Sequence, residues 1–285
     1  MPEIRNRRRM RIGNLIAIVF LMGCLNWQCS SLNPRDQVRF GICYSKVTPD
    51  QVKPFDLVVL EPDNYTHNEV EALKQTGTEV IGYLSLGEVN PARWYYPLLE
   101  MRGFLGKNEN WNSYYLDLSD STTKNIIGNH VAPEIIVKGF DGFFLDTIDA
   151  VAPYTSRDTL QDDMYQVIKN LRDRFPESRI IQNAGLFLLD RTHNLVDGVA
   201  LEDVATLYEF DSESYYIRNN REFSERVSLI QNYAAKYEST FYIIDFAIKP
   251  RDRREVARKL DTLSHPYYIG NIELDSLYRK PHTDR

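Results

Sequence analysis

Gly139-Phe140-Asp141-Gly142-Phe143-Phe144-Leu145-Asp146 is the stretch from which the fold can be read. Phe143–Leu145 is a short apolar run without alternation, as expected for a strand buried on both faces, and an acid follows it directly. Gly139 stops the helical pattern of Thr122–Lys138 before it. Asp158–Phe175 reads as helix after it and ends against Pro176. Helix, buried strand, helix is the unit of a parallel sheet covered on both faces.

The same unit recurs on either side. Strand candidates are Val38–Tyr44, Asp56–Leu60, Glu79–Leu84, Tyr114–Leu118, Phe140–Leu145, Arg179–Gln182, Gly198–Leu201 and Phe241–Ile244. Helical signals separate them. Thr66-His67-Asn68-Glu69 is a capping box whose helix Gly77 stops, and Asn90-Pro91 is an N-cap with a first-turn proline. Eight strand-helix units in roughly 250 residues predict an α/β fold, a (β/α)8 TIM-type barrel, with a doubly wound open sheet as the rival. Pro266–Ile269 is a ninth strand candidate, surplus to the closed sheet. No Gly/Ser/Pro-rich linker divides the body, so 38–285 is expected to be one domain.

The front of the chain has a different character. Arg5, Arg7, Arg8, Arg9 and Arg11 precede an apolar run from Ile12 to Gly23. That run is too short to span a bilayer, which takes about 20 residues, and matches a secretory signal over 1–23. Leu21-Met22-Gly23-Cys24 resembles a bacterial lipobox, with Cys24 as the lipidated cysteine and 24–37 as a tether. The expectation is an exported, membrane-anchored lipoprotein, with a secreted or periplasmic protein as the alternative. Cys29 and Cys43 give no disulfide framework, and Cys43 reads as a small buried hydrophobe.

The chain carries a formal charge of -6 over 285 residues, and the +4 of Met1–Gly23 masks a body of -10. An acidic body argues against nucleic acid and anionic membrane surfaces as main partners, and suits a cationic ligand. The protein is expected to act as a monomer. Acids gather where strands end: Glu61 and Asp63, Glu88, Asp117, Asp146 and Asp149, Glu202 and Asp203, and Asp245, with Asn183 among them. In a parallel barrel these ends share one rim, where active sites form. Helix capping accounts for Asp120, Asp149 and Asp203, but glutamate is a poor cap, and Asp146, Glu88 and Glu202 directly follow apolar runs. Metal-assisted hydrolysis usually recruits histidine, and none of His67, His130, His193, His265 and His282 stands at a strand end. No metal or cofactor is expected. Tyr83-Leu84-Ser85-Leu86-Gly87 lacks the first glycine of a nucleophile elbow. Glycoside hydrolysis by a carboxylate pair fits better, with Trp94, Tyr95, Tyr96, Trp111, Tyr114, Tyr115, Tyr154 and Tyr208 available to stack on sugars.

Four segments, Phe55–Pro62, Gly82–Glu88, Gly139–Asp146 and Asp197–Glu202, together resemble glycoside hydrolase family 114, the endo-α-1,4-polygalactosaminidase barrels. The likeness runs from about Val38 to Ile269. It implies an Asp and Glu catalytic pair at the positions of Asp146 and Glu202. It also implies a substrate of α-1,4-linked, partly de-N-acetylated galactosamine, a cationic exopolysaccharide. Glu61, Asp63, Glu88 and Asp117 would then pair with substrate ammonium groups, and Tyr83, Asp149, Asn183 and Asp245 would complete the binding rim. Two positions depart from the family: Glu61 stands where an Asp is usual, and Val89-Asn90 where a second acid is usual. The competing reading is a catalytically silent, polysaccharide-binding lipoprotein.

Overall fold

Strands as apolar as these must pair every backbone group and cover both faces, and they do so by forming one curled sheet. The computed structural model describes residues 38–280. The signal segment, Cys24, Cys29 and the tether lie outside the described residues. The sheet contains β1 (Phe40–Cys43), β2 (Leu57–Leu60), β3 (Glu79–Ser85), β4 (Gly142–Asp146), β5 (Arg179–Asn183), β6 (Gly198–Glu202), β7 (Phe241–Phe246) and β8 (Tyr267–Gly270). Each pairs in parallel with the next in chain order. β8 packs beside β1, where the Tyr44 N–H donates to the Leu274 carbonyl at 2.7 Å. The result is a (β/α)8 TIM-type barrel.

Two strands exchange the roles expected of them. Tyr114–Leu118 is not a barrel strand: Ser113–Leu116 pairs antiparallel with Glu88–Val89 and with Phe104–Asn108, in a small sheet inserted after β3. Pro266–Ile269, judged surplus, supplies β8. Burial explains the exchange. All four residues of β8 are buried, whereas Tyr114 and Tyr115 are only half-buried, as an antiparallel sheet with one wet face allows. A second insertion, the hairpin Thr206–Glu209 and Ser214–Ile217, follows β6. The expected helix Thr122–Lys138 is three pieces, Ser121–Asn125, a π-helical Ile126–Val131 and Ala132–Val137, since Pro133 has no N–H to continue the α-ladder.

Strand parity divides the core in two. Phe40, Ile42, Leu57, Val59, Ile81, Phe144, Ile181, Ala200, Tyr242 and Ile244 fill the barrel interior. Their alternates, such as Val58, Val80, Phe143, Leu145, Ile180 and Leu201, face the helices. Counting two residues on from Ile81, Phe144, Ile181 and Ala200 reaches Tyr83, Asp146, Asn183 and Glu202. These four therefore close the interior stack at the C-terminal end of the strands.

Candidate active site

Three neighbouring strands deliver the central groups: Asp146 ends β4, Asn183 ends β5 and Glu202 ends β6. The Asn183 Nδ2 donates to Asp146 Oδ1 and to Glu202 Oε1, both at 2.8 Å. The amide nitrogen, the donor end of the side chain, thus faces both carboxyl groups. Two oxygens each 2.8 Å from one nitrogen stand no further apart than about 5.6 Å. The Tyr83 hydroxyl donates to the other Asp146 oxygen at 2.8 Å. Tyr44 meets Tyr83 edge-on, with centroids 4.9 Å apart. Burial raises both phenols well above their ordinary value, which keeps Tyr83 a donor.

The two carboxyl groups are not equivalent. Glu202 is pushed up to about 8, first by burial and then by the charge of Asp146, with the Asn183 bond acting in the opposite direction. An acid so placed holds its proton near neutrality. Asp146 takes two donors, Tyr83 and Asn183, on separate oxygens. Arg226 donates to the Glu202 backbone carbonyl at 2.8 Å and ties down the end of β6.

The remaining acids fall into distinct settings. Glu61 and Asp63 line the mouth, but Arg93 lies between them, bonded to Glu61 and 3.2 Å from Asp63 Oδ2. These two acids are thus already partnered by a guanidinium, which sits 5.3 Å above the Tyr83 ring. Glu88 also lines the mouth yet is only 8% exposed; it accepts from the Ser113 hydroxyl and from Asn108 at 3.2 Å. Its partners fasten the inserted sheet, and burial raises its pKa. Asp149 is exposed on the rim and accepts from the Gly185 N–H at 3.1 Å.

Two expected binding residues lie elsewhere. Asp117 follows the inserted strand rather than a barrel strand, and accepts from the Ser119 N–H and hydroxyl at 2.9 and 2.6 Å. Asp245 has the parity opposite to Ile244, so it points away from the barrel interior. It is fully buried and accepts from the N–H groups of Ala205 and Thr206 at 3.0 and 2.8 Å. Both are absent from the lining of the mouth.

The structure also brings in residues that sequence reasoning passed over. Asp203, read as a cap, lines the mouth with a buried Oδ1 that has no hydrogen-bond partner. Tyr44, Arg93, Arg218 and Arg226 line it too. Tyr44 had a readable signal, since it directly follows a strand. Arg226 had none, being on the helix Asn220–Tyr237.

Together these side chains line a cavity of about 1080 Å³ with eight carboxyl groups against three arginines. Trp111 and Tyr154 stand exposed on its rim, and Trp111 meets Phe210 of the second insertion at 5.2 Å, ring edge to ring face. Tyr95 is buried, and Tyr96, Phe104 and Tyr114 pack on one another. A second depression, at the opposite end of the barrel, is lined by pairs such as Lys74–Asp141, Arg172–Asp197 and Arg179–Glu79. Charges paired at that end hold the barrel together and leave none converging on a substrate. Among the described residues no group of three or more His, Cys, Asp or Glu is arranged to hold a metal ion.

Comparison with known proteins agrees with this fold. The glycoside hydrolase domain of PelA from Pseudomonas aeruginosa superposes with a TM-score of 0.74 at 21% identity, covering 85% of this chain and 96% of that one. Ega3 of Aspergillus fumigatus, solved in complex with galactosamine, gives 0.66 at 13% identity over 85% of this chain and 94% of its own. At these identities the likeness shows the fold. An uncharacterised protein of Deinococcus radiodurans is 24% identical over 255 residues, 83% of this chain and 80% of its own length. The sequence profile of glycoside hydrolase family GH114 matches residues 25–279. The chain belongs to glycoside hydrolase family GH114.

Proposed function

We propose that the protein is a retaining endo-glycosidase of a cationic, α-1,4-linked galactosamine polysaccharide, with Asp146 as nucleophile and Glu202 as general acid and base. The observation that carries the reading is the Asn183 amide, which holds the two carboxyl groups on one nitrogen, their nearer oxygens within about 5.6 Å. Retaining pairs stand about 5–5.5 Å apart, while inverting pairs need about 6.5–9.5 Å to admit a water.

In the first step Asp146 Oδ attacks the anomeric carbon as the bond to the leaving oxygen breaks. Glu202 gives its proton to that oxygen, and a glycosyl ester on Asp146 remains. In the second step Glu202, now a carboxylate, takes a proton from water as the water oxygen attacks the same carbon. Asp146 leaves as carboxylate and Glu202 is protonated again. Tyr83 and Asn183 hold Asp146 in line during both steps, and burial keeps Glu202 protonated for the first.

The acidic lining supports a cationic substrate, with Asp149 and Asp203 the groups best placed for its ammonium groups, since Arg93 occupies Glu61 and Asp63. Trp111 and Tyr154 supply apolar faces for sugar rings. We also propose export, with a lipid on Cys24 anchoring a monomeric barrel at a bacterial membrane. Labelled palmitate taken up by the wild type and lost in Cys24→Ala tests that anchor.

The activity test is digestion of partly de-N-acetylated and fully N-acetylated galactosamine polymers, with mass spectrometry of the products. Internal cleavage of the charged polymer, weakened by salt and abolished in Glu202→Gln, is expected. Binding without products from any amino-sugar polymer would make the protein a silent binder and refute the reading.

A further inference from the structure

Among the described residues, seven that are not glycine have positive φ. Asn112 and Glu213 occupy the turns of the two insertions, Glu238 caps a helix, and Leu274 lies in the segment after β8. The other three share one setting. Thr147 (φ 60°), Ala184 (φ 53°) and Asp203 (φ 57°) directly follow Asp146, Asn183 and Glu202. No other strand of the barrel is followed directly by such a residue. Glycine adopts this left-handed conformation without steric cost, and a β-branched residue such as threonine is the least suited to it. None of the three is glycine.

The surroundings hold each of them in place. The Thr147 hydroxyl accepts from the Gly87 N–H at 2.8 Å and contacts the Asp146 carbonyl at 2.7 Å. A side chain on Gly87 would stand 2.3 Å from the Thr147 carbonyl oxygen, so the two backbones are in direct contact. The Ala184 N–H donates to Ala200 of β6 at 2.8 Å, and the Asp203 N–H to Ile244 of β7 at 3.1 Å. The ladder therefore continues one residue past the strand at the point where the chain reverses. Residues in this sparsely populated region persist only where their surroundings over-determine them, so the backbone that carries Asp146, Asn183 and Glu202 is fixed in direction where it leaves each strand.

We propose that Thr147, Ala184 and Asp203 are positioning residues, whose left-handed backbone presets Asp146, Asn183 and Glu202 as one rigid cluster before substrate arrives. The inference rests on the reading that this pair performs the chemistry. Ala184 gives the cleanest test, because Ala184→Gly removes one methyl and frees the backbone while still permitting the observed angle. Its kcat should fall about 10- to 100-fold with little change in KM, without a lower melting temperature. A loosened Asn183 donates less well to Glu202, so the Glu202 titration, followed by NMR on carboxyl-labelled protein without substrate, should move to higher pH. Ala184→Asn, which restores a residue tolerant of the left-handed region, should recover kcat and titration. Wild-type kcat with an unmoved titration in Ala184→Gly would overturn the proposal. So would equal losses, of activity or of fold, in the Gly and Asn variants, since restoring a side chain that favours the left-handed region would then make no difference. Because the titration needs no substrate, it still decides the question if every tested polymer resists hydrolysis.

Discussion

Replacing Glu202 by glutamine should stabilise the protein, and by an amount that depends on pH. Glu202 is pushed up to about 8, well above the ordinary value of a glutamate. Between the two values the folded state binds the proton and the unfolded chain does not, so this group's contribution to stability falls as pH rises from about 4.5 to 8 and then levels off. Above that window both carboxylates are charged with oxygens within about 5.6 Å, a repulsion of about 3 kcal/mol at an effective dielectric of about 20. Water at the open mouth weakens this, leaving a gain of about 1–2 kcal/mol, or roughly 3–6 °C, for Glu202→Gln at pH 9. At pH 5 the wild-type group is already neutral, and the glutamine accepts the same Asn183 bond, so the gain should vanish. Thermal melts of both proteins from pH 5 to 9 make the comparison. An equal shift at both ends would refute the reasoning, because Glu202 would not be changing charge in that range.

Three further perturbations follow from the same contacts. Asn183→Ala removes the donor shared by the pair, so kcat/KM should drop about 10- to 100-fold and the alkaline limb of the pH-rate profile should move up, since that donor favours ionised Glu202. An alkaline limb at its wild-type position would contradict the bridge. Arg93→Met leaves Glu61, whose side chain is 12% exposed, without its cation. Urea denaturation should show a loss near the lower end of about 3–5 kcal/mol, and unchanged stability would mean that the pair contributes nothing. Asp245→Ala strips acceptors from the Ala205 and Thr206 N–H groups and should cost about 2 kcal/mol or more, also by urea denaturation. An undiminished midpoint would show that the segment holds without it.

Much of this was legible in the chain, because buried parallel strands leave a compositional trace. Phe143–Leu145 and Val58–Leu60 carry no polar residue at all, so their place in a barrel could be read directly. Tyr114-Tyr115 and Tyr267-Tyr268 look alike as sequence, and only burial separates the half-wet antiparallel strand from β8. Asp146 and Glu202 stood out by directly following apolar strands. Parity would have gone further: two residues from Ala200 gives Glu202 inside, whereas Asp245 is one residue from inward-facing Ile244 and must point out. Asp117 was misplaced because its strand was. The Arg93 clamp on Glu61 and Asp63 joins residues some 30 positions apart, and no local pattern encodes it. The left-handed residues Thr147, Ala184 and Asp203 are equally silent, since none is the glycine that ordinarily marks such a turn.

The central claim is that Asp146 and Glu202 cleave an α-linked amino-sugar polymer through an ester on Asp146. The anomeric form of the newly released reducing end, read by proton NMR within the first minutes of digestion, tests it most directly. The account predicts the α-anomer first, relaxing later to the equilibrium mixture. A β-anomer formed first would mean a single inverting displacement by water, with no ester on Asp146, and would contradict the account.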